Sequence, residues 1–189
     1  MFNKFRLKNL LNQNLNDVNF NSVNYVNAAV LIILFYKHND INVLLTQRTH
    51  NVKTHKGQIS FPGGLYKKKD KLMINTALRE TSEEIGINTN NLEILGKLDN
   101  VKSIEENFLI TPYVSYAEHL TNISLNKQEV KKIIEIPLYY FSQIKNIKKK
   151  FIKINGDKQL FECYLYDDNC IWGLTAYLLK SLSNIIYNS

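Results

Sequence analysis

The run Arg79-Glu80-Thr81-Ser82-Glu83-Glu84-Ile85-Gly86-Ile87 concentrates carboxylates where a helix would align them. Each residue of an α-helix advances by about 100°, so Glu80, Glu83 and Glu84 fall within an arc of about 100°. Ile74, Ala77, Leu78, Thr81 and Ile85 occupy the neighbouring arc, a stripe suited to packing beneath a sheet. Like charges at i,i+4 destabilise a helix. A hard divalent cation relieves that repulsion, because Mg²⁺ takes carboxylate oxygens and keeps waters or substrate phosphates in its remaining positions. A solvated acidic face would also accommodate the three glutamates, so the decision rests on what surrounds them.

Upstream stand Leu44-Leu45-Thr46-Gln47-Arg48 and then His55-Lys56-Gly57-Gln58-Ile59-Ser60-Phe61-Pro62-Gly63-Gly64. Paired glycines after a proline allow a sharp turn and a close approach of backbone to ligand. They precede the carboxylate helix, where a phosphate and its metal could meet. Arg48 is either a phosphate-neutralising group or an ordinary strand-end arginine. His55, beside Gly57 and Gln58, either hydrogen-bonds a ligand or locks its loop through the backbone.

These residues need a scaffold. Apolar residues over 28–36 and 43–47 read as two strands about the turn His38-Asn39-Asp40, the first covered on both faces. A helix is expected over about 72–85, stopped by Gly86. Strands are expected at 92–98, 108–115 and 133–136, followed by a short helix over 137–144 opened by proline. Residues 151–154 and 160–166 form an expected hairpin about Asn155-Gly156-Asp157. An amphipathic helix over 173–187 turns Leu174, Tyr177, Leu178, Leu182 and Ile185 to one side. Residues 9–27, rich in Asn, read as a helix end and a loop. The order implies a mixed α/β domain with a sheet between helices.

The chain has 189 residues, 44% apolar and 22% charged, enough for one domain with a full core and against disorder throughout. No apolar run reaches membrane-spanning length. The basic, acid-free N-terminus loosely resembles a mitochondrial presequence, but a docked helix burying Phe2, Phe5, Leu10 and Leu11 is preferred. Cys163 and Cys170 make no CxxC motif and no evident disulfide framework. A cytoplasmic location is the default, with a mitochondrial or other organelle matrix left open. The net charge of +7 suggests an anionic partner only weakly, and Lys67-Lys68-Lys69 and Lys148-Lys149-Lys150 read as solvated turns.

Together the motifs resemble those of the Nudix hydrolases, whose signature runs Gly, five residues, Glu, seven residues, then Arg-Glu-U-x-Glu-Glu-x-Gly-U, U being bulky and aliphatic. Gly64, Arg79, Glu80, Glu83, Glu84, Gly86 and Ile87 match by type. Asp70 replaces the early glutamate with one extra residue before Arg79, and Thr81 stands at the first U position. Leu44-Leu45-Thr46-x-Arg48 with His55-x-Gly57-Gln58-Ile59-x-Phe61-Pro62-Gly63-Gly64 is similar to the coenzyme A pyrophosphatases of that family, as are Glu129-Val130 and Trp172-Gly173-Leu174-Thr175-Ala176.

The resemblance implies a Nudix-type α/β/α sandwich over 28–189, preceded by an N-terminal extension over 1–27. It implies cleavage of coenzyme A, and of its acyl or oxidised forms, to 3′,5′-ADP and 4′-phosphopantetheine. Glu80, Glu83 and Glu84 would bind Mg²⁺ or Mn²⁺, with Arg79 orienting a helix carboxylate such as Glu83. Arg48, His55, Gln58, Gly63 and Gly64 would bind substrate. The general base would be Glu80 or Glu83, then Glu129, with Glu105 and Glu106 behind. Another nucleoside diphosphate derivative, such as ADP-ribose, NADH, a dinucleoside polyphosphate or capped RNA, is the alternative substrate. A noncatalytic nucleic-acid-binding module is the third reading, disfavoured by the complete glutamate set. The partner expected is a coenzyme A-like nucleotide, with no membrane or nucleic acid, on a monomer or homodimer.

Overall fold

The computed structural model describes residues 3–15, 25–50, 56–103, 107–154 and 157–187. Strand β1 (Val26–Lys37) is the centre of the molecule. It pairs antiparallel with β2 (Asp40–Arg48) across the expected turn, where His38 and Asn39 both take positive φ. It also pairs parallel with β7 (Phe108–Ala117), Leu31 lying beside Tyr113, and antiparallel with β4 (Gly63–Leu65), Ala29 lying beside Gly64. Strands β3 (Ile59–Ser60) and β8 (Val130–Pro137) pair with β2, while β5 (Leu92–Lys97) and β6 (Val101–Ser103) pair with β7. The result is a mixed sheet.

Alternation along β1 explains why it is apolar throughout. Ala29, Leu31, Ile33 and Phe35 join the cluster under helix α2 (Met73–Ile85), with Met73, Ala77 and Ile85. Ile32 and Leu34 join the opposite cluster, with Leu7 and Leu11 of the N-terminal segment and Leu178, Leu179 and Leu182 of helix α3 (Gly173–Tyr187). Side chains alternate across a strand, so both faces are dry only if both are covered. This is the expected α/β/α layering. A second, three-stranded sheet of β9 (Ile147–Ile154), β10 (Asp157–Tyr166) and β11 (Asn169–Ile171) packs on the α3 side through Tyr164 and Ile171.

Several expectations are corrected. Helix α1 (Lys4–Leu10) does dock, but through Leu7, with Leu11 just beyond it, whereas Phe5 and Leu10 are exposed. A helix of two turns presents one i,i+4 pair to the core, and Leu7 and Leu11 are that pair. Phe2 lies outside the described residues, as does most of the Asn-rich loop. On α3, Leu178 and Leu182 are buried as expected, but Tyr177 is exposed and Leu179 is buried in its stead. Pro137 ends β8, and the turn after it is a 3₁₀ helix, Leu138–Ser142, rather than an α-helix. Cys163 and Cys170 form a disulfide, with Cα atoms 5.7 Å apart on the paired strands β10 and β11. That juxtaposition comes from the hairpin register, which cysteine spacing alone does not reveal.

Candidate active site

Helix α2 carries the carboxylates and β4 fixes their height. Gly86 ends the helix with φ 69°, its N–H returned to the Ser82 carbonyl. Gly64 lies directly against Glu80: a Cβ there would sit 2.6 Å from the Glu80 Cδ. Gly63 packs on β1, where a Cβ would sit 2.4 Å from the Ala29 carbonyl oxygen. The two glycines thus let β4 slip between β1 and α2 and bring its backbone to the carboxylates.

Arg79 organises the helix surface. Its Nε and Nη2 donate to the two oxygens of Asp70 at 2.8 and 2.9 Å, and its Nη1 donates to Glu80 at 2.5 Å and Glu83 at 3.0 Å. Asp70 is buried and also accepts from the Thr76 hydroxyl and the Lys67 backbone N–H. The guanidinium fork and these donors hold its carboxyl well below the usual range. Asp70 therefore locks Arg79, and Arg79 locks Glu80 and Glu83. Arg79 pairs with Glu83 as expected, and with Glu80 and Asp70 as well. The role of Asp70 depends on a 3₁₀ turn over Lys68–Asp70 that the sequence pattern does not announce.

Glu84 sits apart from that network and is buried. The Gly63 backbone N–H donates to it, and Arg48 Nη1 lies 3.6 Å from its Oε1. Its Oε2 has no hydrogen-bond partner, nor has Arg48 Nε. Burial pushes its carboxyl up to about 8, with Arg48 opposing and the charges of Glu129 and Glu80 adding to the rise. Glu129 is half-buried, accepts weakly from Asn126 Nδ2 at 3.4 Å, and is tied to the end of β2 by its carbonyl, which accepts from the Thr49 N–H.

The helix is thus negative on the side that faces Gly63 and Gly64, with one buried carboxylate oxygen unsatisfied. Those residues fit a hard divalent cation, which would satisfy Oε2 and offset the mutual repulsion of Glu80, Glu84 and Glu129. The fit is through Glu84 and Glu80. Among the described residues no three acidic, imidazole or thiol groups converge closely enough to hold a metal ion, and Glu83 is half-exposed and drawn to Arg79. Of the three glutamates expected to bind metal, Glu80 and Glu83 both accept from Arg79, and Glu83 lies furthest toward solvent.

Gln58 is placed beside the site's edge, its carbonyl accepting the Arg48 N–H at 2.9 Å. His55, Glu105 and Glu106 lie outside the described residues. Lys67, read as part of a solvated turn, instead reaches 3.8 Å from Glu80. A triple-lysine run carries no signal that one member faces a carboxylate.

A mixed sheet between helices thus carries an arginine-locked carboxylate helix beside a glycine strand. Comparison with known proteins gives the family. The NUDIX domain profile matches residues 26–149. The chain is 35% identical over 162 residues to the uncharacterized Nudix hydrolase NudL of Photorhabdus laumondii, covering 86% of each protein. It is 34% identical over 158 residues to the protein of the same name from Pectobacterium atrosepticum, covering 82% of this chain and 80% of that one. Among solved structures, a NUDIX hydrolase from Alicyclobacillus acidocaldarius aligns with TM-score 0.55 at 16% identity, over 88% of this chain and 95% of that one. A C. elegans Ap4A hydrolase aligns with TM-score 0.50 at 20% identity, over 60% of this chain and 80% of that one. The chain belongs to the Nudix family, and it is a pyrophosphatase-type hydrolase of nucleoside diphosphate derivatives.

Proposed function

We propose that this protein hydrolyses the pyrophosphate of coenzyme A, and of its acyl or oxidised derivatives, to 3′,5′-ADP and 4′-phosphopantetheine. The supporting observation is that three of the residues similar to coenzyme A pyrophosphatases, Arg48, Gln58 and Gly63, form one physical unit around Glu84. Arg48 ends β2 and pairs with Glu84, Gln58 accepts the Arg48 N–H, β3 pairs with β2, and Gly63 donates to Glu84. We take the catalytic domain as 28–189 and the first 27 residues as an extension.

Mg²⁺ or Mn²⁺ held by Glu84 and Glu80 would supply charge neutralisation on the phosphate oxygens and an acidified water. The chain's own residues do the rest. Gly64 keeps a side chain out of the space before Glu80, and Gly63 lets β4 lie close against β1. Arg48 places a positive charge beside the same space, where it stabilises charge gathering on a phosphoryl group. Arg79 acts as a positioning residue, holding Glu80 and Glu83. Glu129 is the preferred proton acceptor, since Glu80 and Glu83 are both engaged by Arg79 while Glu129 is not.

The test is product analysis by chromatography with purified protein, Mg²⁺ or Mn²⁺, and coenzyme A, ADP-ribose, NADH and diadenosine polyphosphates as substrates. Coenzyme A should be consumed fastest, 3′,5′-ADP should appear, and Glu84→Gln should abolish turnover. Faster turnover of another substrate would overturn the coenzyme A assignment.

A further inference from the structure

Strand β2 has a second side. Gln47 and Arg48 are consecutive at the end of β2, where its pairing with β8 shifts register. Arg48 reaches Glu84, whereas Gln47 lines a cavity of about 390 Å³ between the 56–59 segment and the β9–β10–β11 sheet. Hydrogen bonds hold that segment to the end of β2. The Gln47 side-chain amide donates to the Gly57 carbonyl at 3.3 Å, and the Arg48 N–H donates to the Gln58 carbonyl. The cavity and the carboxylates therefore meet around one end of a single strand.

The cavity is built for an anion with a flat partner. Lys56 and Lys150 line it, and neither is in an ion pair among the described residues, while Asp168 is the only carboxylate in the lining. Trp172 forms part of the wall, its ring braced 4.9 Å from that of Phe161. Lys150, which pairs across the hairpin with Phe161, lines the cavity, whereas Lys149, which pairs with Glu162, is not in its lining. The volume suits one nucleotide-sized moiety, and lysine binds phosphate as a point charge. A diphosphate bound at Glu80 and Glu84 leaves the cavity to a different anion on the same molecule.

We propose that this cavity receives the nucleoside end of the substrate and its separate phosphomonoester, Lys56 and Lys150 contacting the phosphate and Trp172 the base. It rests on the coenzyme A-like reading above and extends it to the residues that select the 3′-phosphate.

The test is calorimetric binding of adenosine 3′,5′-bisphosphate and of AMP to the intact protein, joined to KM values for coenzyme A and dephospho-coenzyme A. The bisphosphate should bind at least about tenfold more tightly than AMP. Lys56→Gln and Lys150→Gln should each weaken it about tenfold and leave AMP unchanged, and Lys149→Gln should change neither. Unaltered bisphosphate affinity in both cavity variants would overturn the assignment, as would an equal loss in Lys149→Gln, which marks diffuse charge. Binding is read without turnover, so the two proposals separate. Discrimination by a protein that does not hydrolyse coenzyme A upholds the cavity and removes the substrate reading. Coenzyme A hydrolysis with no preference over the dephospho form removes the cavity alone.

Discussion

Gly63 and Gly64 are neighbours with opposite obligations. A Cβ on Gly64 meets only the far end of the Glu80 side chain, whereas one on Gly63 meets the Ala29 carbonyl and, at 2.7 Å, the Val30 Cα. Gly64→Ala is expected to leave stability within about 0.5 kcal/mol while lowering kcat by about 100-fold, because a small displacement of Glu80 spoils the reacting geometry. Gly63→Ala should cost about 3 kcal/mol and broaden or abolish the thermal transition. Thermal melts beside kinetics separate the two outcomes. Glu84 makes a second prediction. Its folded-state pKa of about 8 lies above the ordinary carboxylate value, so the folded state holds the proton more tightly than the unfolded chain. Without metal, stability should fall as pH rises from the ordinary carboxylate range through about 8, and change no further above it. Cation binding requires the ionised form, so Mg²⁺ should release a proton near neutral pH. Calorimetry in buffers of different ionisation enthalpy should detect it, and Glu84→Gln should remove it. The glutamates themselves were readable from helical spacing. The partition of Arg79 among Asp70, Glu80 and Glu83 was not, because it depends on rotamers and on a turn nine residues upstream.

Helix α2 shows what patterning predicts and what it leaves out. Its boundaries and Gly86 stop follow from apolar period and capping, and its underside packs as expected, including Thr81 at a position the family fills with an aliphatic residue. Thr81 is fully buried and its hydroxyl has no hydrogen-bond partner. Thr81→Val keeps the shape and removes the unpaired group, so it should stabilise the protein by about 1 kcal/mol, read as a higher denaturation midpoint at unchanged activity. The long strands were equally plain from their apolar runs. β3 and β4 were not, since two- and three-residue strands show no period and are defined by the neighbours they pair with. The hairpin of β9 and β10 was anticipated, its Asn155-Gly156 turn lying outside the described residues. The third strand, β11, and the disulfide that crosses to it appear only once the hairpin register is fixed.

The molecule as a whole closes on β1, with α2 on one side and α1 and α3 on the other. Leu7 and Leu11 are the N-terminal contribution to that closure, and Leu7→Ala should lower stability by about 3 kcal/mol without altering KM, measurable by urea unfolding beside steady-state kinetics. No helix among the described residues is long and apolar enough to cross a membrane. The parallel pairing of Val26 with Phe108 has a further consequence, for the order of events when the chain folds. Helix α2 and the β1–β2 hairpin are local and form quickly, but the β1–β7 ladder must close a long loop before any of its contacts repay the lost chain entropy. Refolding from denaturant should therefore regain helical circular dichroism before it regains activity. During that interval the glutamates are already aligned on their helix, with β7 not yet beside β1 beneath them.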